Sequence, residues 1–149
     1  MTAYETILVG TDGSESSYVA VERAAAMARV NVARLVILCA YEPADRRQVL
    51  AAQDTLRDEA HQVVGSAPAE ETLRTARERA TRAGGVDIGT TAVRGEPVAA
   101  LLDGAAQHKA TLIVVGNRGL NTLAGRLLGS VPAEVARKAD GDVLIVHTT

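Results

Sequence analysis

Residues 112–135 read LIVVGNRGLNTLAGRLLGSVPAEV. The first four are apolar at consecutive positions and mostly β-branched, which is how a strand covered on both faces reads. Pro132, Val135, Ala136 and Ala139 then fall at helical spacing, with the proline in a first turn. Between strand and helix lie roughly twelve residues punctuated by Gly116, Gly119, Gly125 and Gly129, longer than the usual strand-to-helix connection. A buried strand feeding a helix through such a loop predicts an α/β sheet with a functional connection at its edge.

The same alternation extends outward in both directions. Further strand-like runs are ILVG from Ile7, LVILCA from Leu35 and VLIVH from Val143, with a weaker one in TTAVRG, Thr90 to Gly95. Helical spacing recurs at Val21, Ala24, Ala25 and Ala28, and at Val98, Leu101, Leu102, Ala105 and Ala106. Two more helices are predicted between Arg46 and Arg82, split at Gly65-Ser66-Ala67-Pro68. One carries Leu56, Ala60, Val63 and Val64, and the other Leu73, Ala76, Ala80 and Ala83. Strands alternating with helices imply right-handed crossovers and a parallel sheet. At 149 residues, with no internal repeat, the chain is read as one domain, 1–149.

Composition excludes several function classes. With no Trp, no Phe and only Tyr4, Tyr18 and Tyr41, the chain lacks the aromatic platforms of single-strand nucleic-acid sites. A formal charge of −2 with the charged residues dispersed gives no basic footprint for nucleic acid or anionic membrane. No apolar run approaches the ~20 residues of a membrane span, and no secretory signal is present. The single cysteine, Cys39, lies inside an apolar run and is expected to be a buried hydrophobe. These features together predict a cytoplasmic protein without nucleic-acid or membrane partners. His61, His108 and His147 have no companions at metal-ligand spacing, and no catalytic triad stands out.

Two segments qualify for a site beyond the carboxyl ends of the strands, where parallel sheets hold their ligands. One is GTDGSESS, Gly10 to Ser17; the other is the opening stretch, with the spacing Gly116-x2-Gly119-x9-Gly129-Ser130. Glycine admits close approach of backbone amides to an oxyanion, and a helix N-terminus offers free N–H groups. Gly129, Ser130 and the helix behind them are therefore read as a phosphate cradle, with Arg118 and Arg126 as charge-assisted donors. The plainer alternative makes Gly119 a turn, Gly129 a pre-helix glycine and Ser130 an ordinary N-cap. No P-loop is present: GRLLGS at Gly125 is one residue short and lacks the lysine. Leu120, Leu123, Leu127 and Leu128 either cover the nucleoside or pack beneath the helix, with packing the favoured role.

ILVGTDGSESS, VRGEPVAALL, LIVVGNRGLNTLAGRLLGSVPAEV and DVLIVH together resemble the universal stress protein family, over essentially the whole chain. The resemblance implies a three-layer, doubly wound, five-stranded parallel sheet of order 3-2-1-4-5, of the adenine nucleotide alpha hydrolase-like type. It implies a nucleotide site in which Gly10, Thr11 and Asp12 line the nucleoside and Ala40 meets the adenine edge. Gly116, Asn117, Arg118 and Gly119 run beside ribose and phosphate, and Arg126, Gly129, Ser130 and Val131 hold the phosphates. Asp12 is alternatively an N-cap or Asx turn opening the first helix, a role compatible with ligand contact. The ligand implied is ATP or cyclic AMP. Two arginines do not neutralise a triphosphate, so ATP would bring Mg²⁺. The resemblance also implies a homodimer through the last strand, Val143 to His147, whose apolar edge would otherwise stand open. No general base is identifiable, so the function expected is nucleotide sensing or storage in stress, with weak ATP hydrolysis at most. The alternative is a slow ATP-hydrolysing or adenylating enzyme of related architecture. Against it, TDGSES at Thr11 lacks the paired glycines of a pyrophosphate loop. Asn117, Pro132 and Gly141-Asp142 depart from the commoner family pattern, and Asn117 bears on the sugar or phosphate contact.

Overall fold

The computed structural model describes residues 3–43, 63–118 and 128–148. Strand β1 (Thr6–Gly10) is TILVG, and its Ile7, Leu8 and Val9 are all fully buried. Helix α1 (Glu15–Asn31) returns the chain to β2 (Arg34–Glu42), which pairs in parallel with β1 from Thr6↔Arg34 to Gly10↔Leu38. A two-residue strand, β3 (Val63–Val64), leads through Gly65 into α2 (Ser66–Arg82). Then follow β4 (Ile88–Arg94), α3 (Pro97–His108), β5 (Leu112–Gly116), α4 (Ser130–Lys138) and β6 (Asp142–Val146).

Every strand pair is parallel, and the long strands lie side by side as β4-β2-β1-β5-β6. This is the doubly wound α/β arrangement expected, but the described residues form six strands rather than five. The extra one is β3, whose Val63 and Val64 were expected on a helix. They pair instead with Tyr41 and Glu42. Tyr41 also pairs with Arg94, so β3 occupies the opposite edge of β2, past the end of β1. Apolar spacing misled here because two valines fit either period, and the pairing that decides between them is non-local. The other residues of that expected helix, Leu56 and Ala60, lie outside the described residues, as does His61.

The period-2 geometry of the strands sends alternate residues to opposite layers. Ile7, Val9, Leu35, Ile37, Cys39, Leu112 and Val114 meet α1 and α2, whereas Leu8, Val36, Leu38, Ile113 and Val115 meet α3 and α4. Each fully buried aliphatic side chain contributes about 1.5–3 kcal/mol relative to exposure. Small residues bring the helices close: a Cβ on Gly104 of α3 would stand 2.7 Å from Leu38 Cδ1. The core needs no aromatic filling because alanines and glycine let helix backbones approach the aliphatic sheet. No described helix is long and apolar enough to cross a membrane.

Candidate nucleotide site

The chain leaves β1 toward β2 and leaves β5 toward β6, so strand order reverses between β1 and β5. Ligands in open parallel sheets bind beyond such a point. The two segments picked out from sequence, Gly10 to Ser17 and the start of the Gly-rich loop, therefore exit side by side.

On the β1 side the polar groups organise the loop. Thr11 N–H donates to Leu38 O at 2.9 Å. The buried Thr11 hydroxyl lies 2.7 Å from Ser17 Oγ and accepts from Gly13 N at 3.2 Å. Asp12 Oδ1 accepts from Ser14 N at 2.9 Å, the Asx turn raised as one alternative from sequence. Gly13 makes that turn possible with φ +86°, a region that favours glycine. Ser14, not Asp12, is the N-cap of α1, and its Oγ accepts from Ser17 N. Asp12 Oδ2 has no hydrogen-bond partner among the described residues. Ala40, half-buried near the carboxyl end of β2, pairs with Val93.

On the β5 side, Gly129 is the N-cap of α4, is buried, and supplies no side-chain cap. Helices α1 and α3 differ: Ser14 caps the first, and both carboxylate oxygens of Glu96 accept from Val98 N and Ala99 N in the second. The first N–H groups of α4, on Ser130 and Val131, are thus uncovered by any described side chain, and the next residue, Pro132, has none. Ser130 and Arg118 are exposed, and neither side chain is paired with a described residue. Gly129 N–H reaches back to Asn117 O at 3.0 Å, which fixes the helix start beside the exit of β5. Gly119 and Arg126 lie outside the described residues, as do Leu120, Leu123, Gly125 and Leu127. Leu128 is exposed rather than packed beneath the helix.

Gly116 and Asn117 turn toward residues that sequence reasoning missed. Asn117 Oδ1 accepts from Thr148 N at 2.8 Å and from Thr148 Oγ1 at 3.1 Å. No local signal marks Thr148, since its role depends on a partner thirty-one positions away.

Residues 3–147 match the sequence profile of the Universal stress protein family. The chain belongs to this family. It is 52% identical over 149 residues to Universal stress protein Rv1636 of Mycobacterium tuberculosis H37Rv, with 100% of both chains covered. A universal stress protein of Thermus aquaticus is 32% identical, covering 97% of this chain and 99% of that one. Among solved structures, a universal stress protein crystallised in complex with cAMP superposes with TM-score 0.77 at 47% identity. The match covers 99% of this chain and 100% of that one.

Proposed function

We propose that this universal stress protein binds an adenine nucleotide, ATP or cyclic AMP, at the carboxyl ends of β1 and β5, as a cytoplasmic sensor or reservoir in stress. The observation that carries the reading is the uncapped start of α4. The N–H groups of Ser130 and Val131, the Ser130 hydroxyl and the positive end of the helix dipole converge at the reversal of strand order. Asp12 Oδ2 suits a ribose or adenine donor, and Arg118 suits a phosphate oxygen. The family resemblance assigns Gly10, Thr11, Ala40, Gly116, Asn117, Gly119 and Arg126 to the same site. The relative crystallised with cAMP supports an adenine ligand. A single cyclic phosphate fits a cradle with few cations, whereas ATP would be accompanied by Mg²⁺.

Mass spectrometry of the nucleotide that co-purifies, followed by melting curves with ATP, ATP with Mg²⁺, and cyclic AMP, tests the reading. Ligand at a hundredfold over Kd adds about 2.7 kcal/mol to stability. Ser130→Glu, which places a carboxylate at the helix start, is expected to abolish the shift while leaving the unliganded melting temperature nearly unchanged. No shift with any nucleotide would sink the proposal. Accumulation of ADP, AMP or pyrophosphate beyond one turnover would replace it with the enzymatic alternative.

A further inference from the structure

Gly116 and Asn117 begin the loop that leads to the proposed phosphate site, yet both are shaped around the segment that follows β6. A Cβ on Gly116 would stand 3.3 Å from Thr148 Cγ2, so the missing side chain makes room for the threonine methyl. Asn117 holds the same residue by its amide oxygen, at 2.8 Å from Thr148 N and 3.1 Å from Thr148 Oγ1. That acceptance orients the amide and leaves Nδ2 facing His147 Nδ1 at 3.4 Å. The backbone of Asn117 is engaged as well, donating to Val146 O at 2.8 Å and accepting from Gly129 N at 3.0 Å. Thr148 Oγ1 in turn lies 2.5 Å from Ser16 Oγ in the first turn of α1.

Ser16 belongs to the lip of the crevice that follows β1, and Asn117 to the lip that follows β5. Thr148 is bonded to both. We propose that residues 147–148 form a strap across the two lips and that Asn117 is a positioning residue, fixing the strap and the start of α4 rather than touching the ligand. The proposal rests on the nucleotide reading for its effect on affinity, but not for the strap itself. With the Asn117 side chain removed, the tail loses its acceptor, the space over Gly116 opens, and the two lips are no longer held together through Thr148.

Two measurements decide it. In the nucleotide-free protein, amide hydrogen exchange at Thr148 is expected to be slowed, and Asn117→Ala is expected to release it. Exchange at Thr148 that is fast in the unsubstituted protein would overturn the strap. For affinity, calorimetric titration with ATP and with cyclic AMP should show Asn117→Ala and Thr148→Val each weakening binding by about fivefold or more. The double substitution should weaken it by less than the sum of the two, because both remove the Thr148 Oγ1–Asn117 Oδ1 bond while Thr148→Val keeps the Thr148 N–H bond to Asn117. Thr148→Ser, which restores the hydroxyl, should restore affinity. Loss with Asn117→Ala but none on removal of residues 148–149, which takes both Thr148 bonds away, would make Asn117 a ligand contact and overturn its positioning role. A protein that binds neither nucleotide would remove the functional reading, while the exchange measurement would still decide the strap.

Discussion

Val32 closes α1 in the left-handed region, at φ +54° and ψ +45°, with its N–H bonded to Ala28 O and Arg29 O. A β-branched residue there is an outlier, since left-handed backbone costs an L side chain roughly 1–2 kcal/mol. The side chain recovers little by packing, because it is 87% exposed. Val32→Gly should therefore raise stability by about 1 kcal/mol, read as an increase in melting temperature of about 2–4 °C. Lack of any increase would mean that the glycine's extra freedom in the unfolded chain offsets the relieved strain. Cys39 gives a second expectation at this scale. Burial, and then the charge of Asp12, pushes its thiol up to about 12. A thiol raised in this way stays protonated in the native protein, and its contribution to stability is lost as pH rises past the ordinary thiol value of about 8.5. An aromatic disulfide reagent at neutral pH should leave Cys39 untouched until denaturant is added, and rapid native labelling would contradict its burial.

At the scale of elements, α1 and α2 are joined through Arg79. Its Nε donates to Glu22 Oε2 at 2.6 Å, its Nη2 to Glu15 Oε2 at 2.5 Å, and its guanidinium lies 5.1 Å from the centroid of the Tyr18 ring. The Arg79 hydrogen bond holds the Glu15 carboxyl below its usual range. A depressed carboxyl adds stability above its unfolded value of about 4.3 and loses it as pH falls through the lower folded one. Melting temperature should thus fall more steeply between pH ~5 and ~3 in the native protein than in Arg79→Met; parallel curves would mean that the exposed Glu15 contributes nothing. This clamp was not legible in the sequence, because both carboxylates lie on a different helix from Arg79. The strands β1, β2, β5 and β6 were legible, since each is apolar at successive positions on both faces. β3 was not, because two residues carry no period of their own. In the site, Gly129 and Ser130 were readable as a helix start, but the orientation of Asn117 was not, because it is set by Thr148 across the sheet.

For the whole molecule, β6 stands at one end of the sheet and pairs only with β5 among the described residues. Its Val143, Leu144 and Ile145 are only half-buried. An open edge of this composition is a template for another strand. A second copy pairing antiparallel through Val143 to His147 would cover it, giving the homodimer we propose. Sedimentation equilibrium at micromolar concentration should then return twice the 15.5 kDa chain mass. A single-chain mass across that range would leave the edge unexplained by self-association.

The strap also joins places far apart along the chain, for Ser16 and Thr148 are separated by 132 positions. Substitutions at 16, 116, 117 and 148 are consequently expected to be coupled. A lineage that gains a side chain at Gly116 has to shrink or displace residue 148, and one that loses the amide at Asn117 relaxes the demand for a hydroxyl at both 148 and 16. Among relatives these positions should covary as one group, a signature written in the beginning, the late loop and the last residues of the chain.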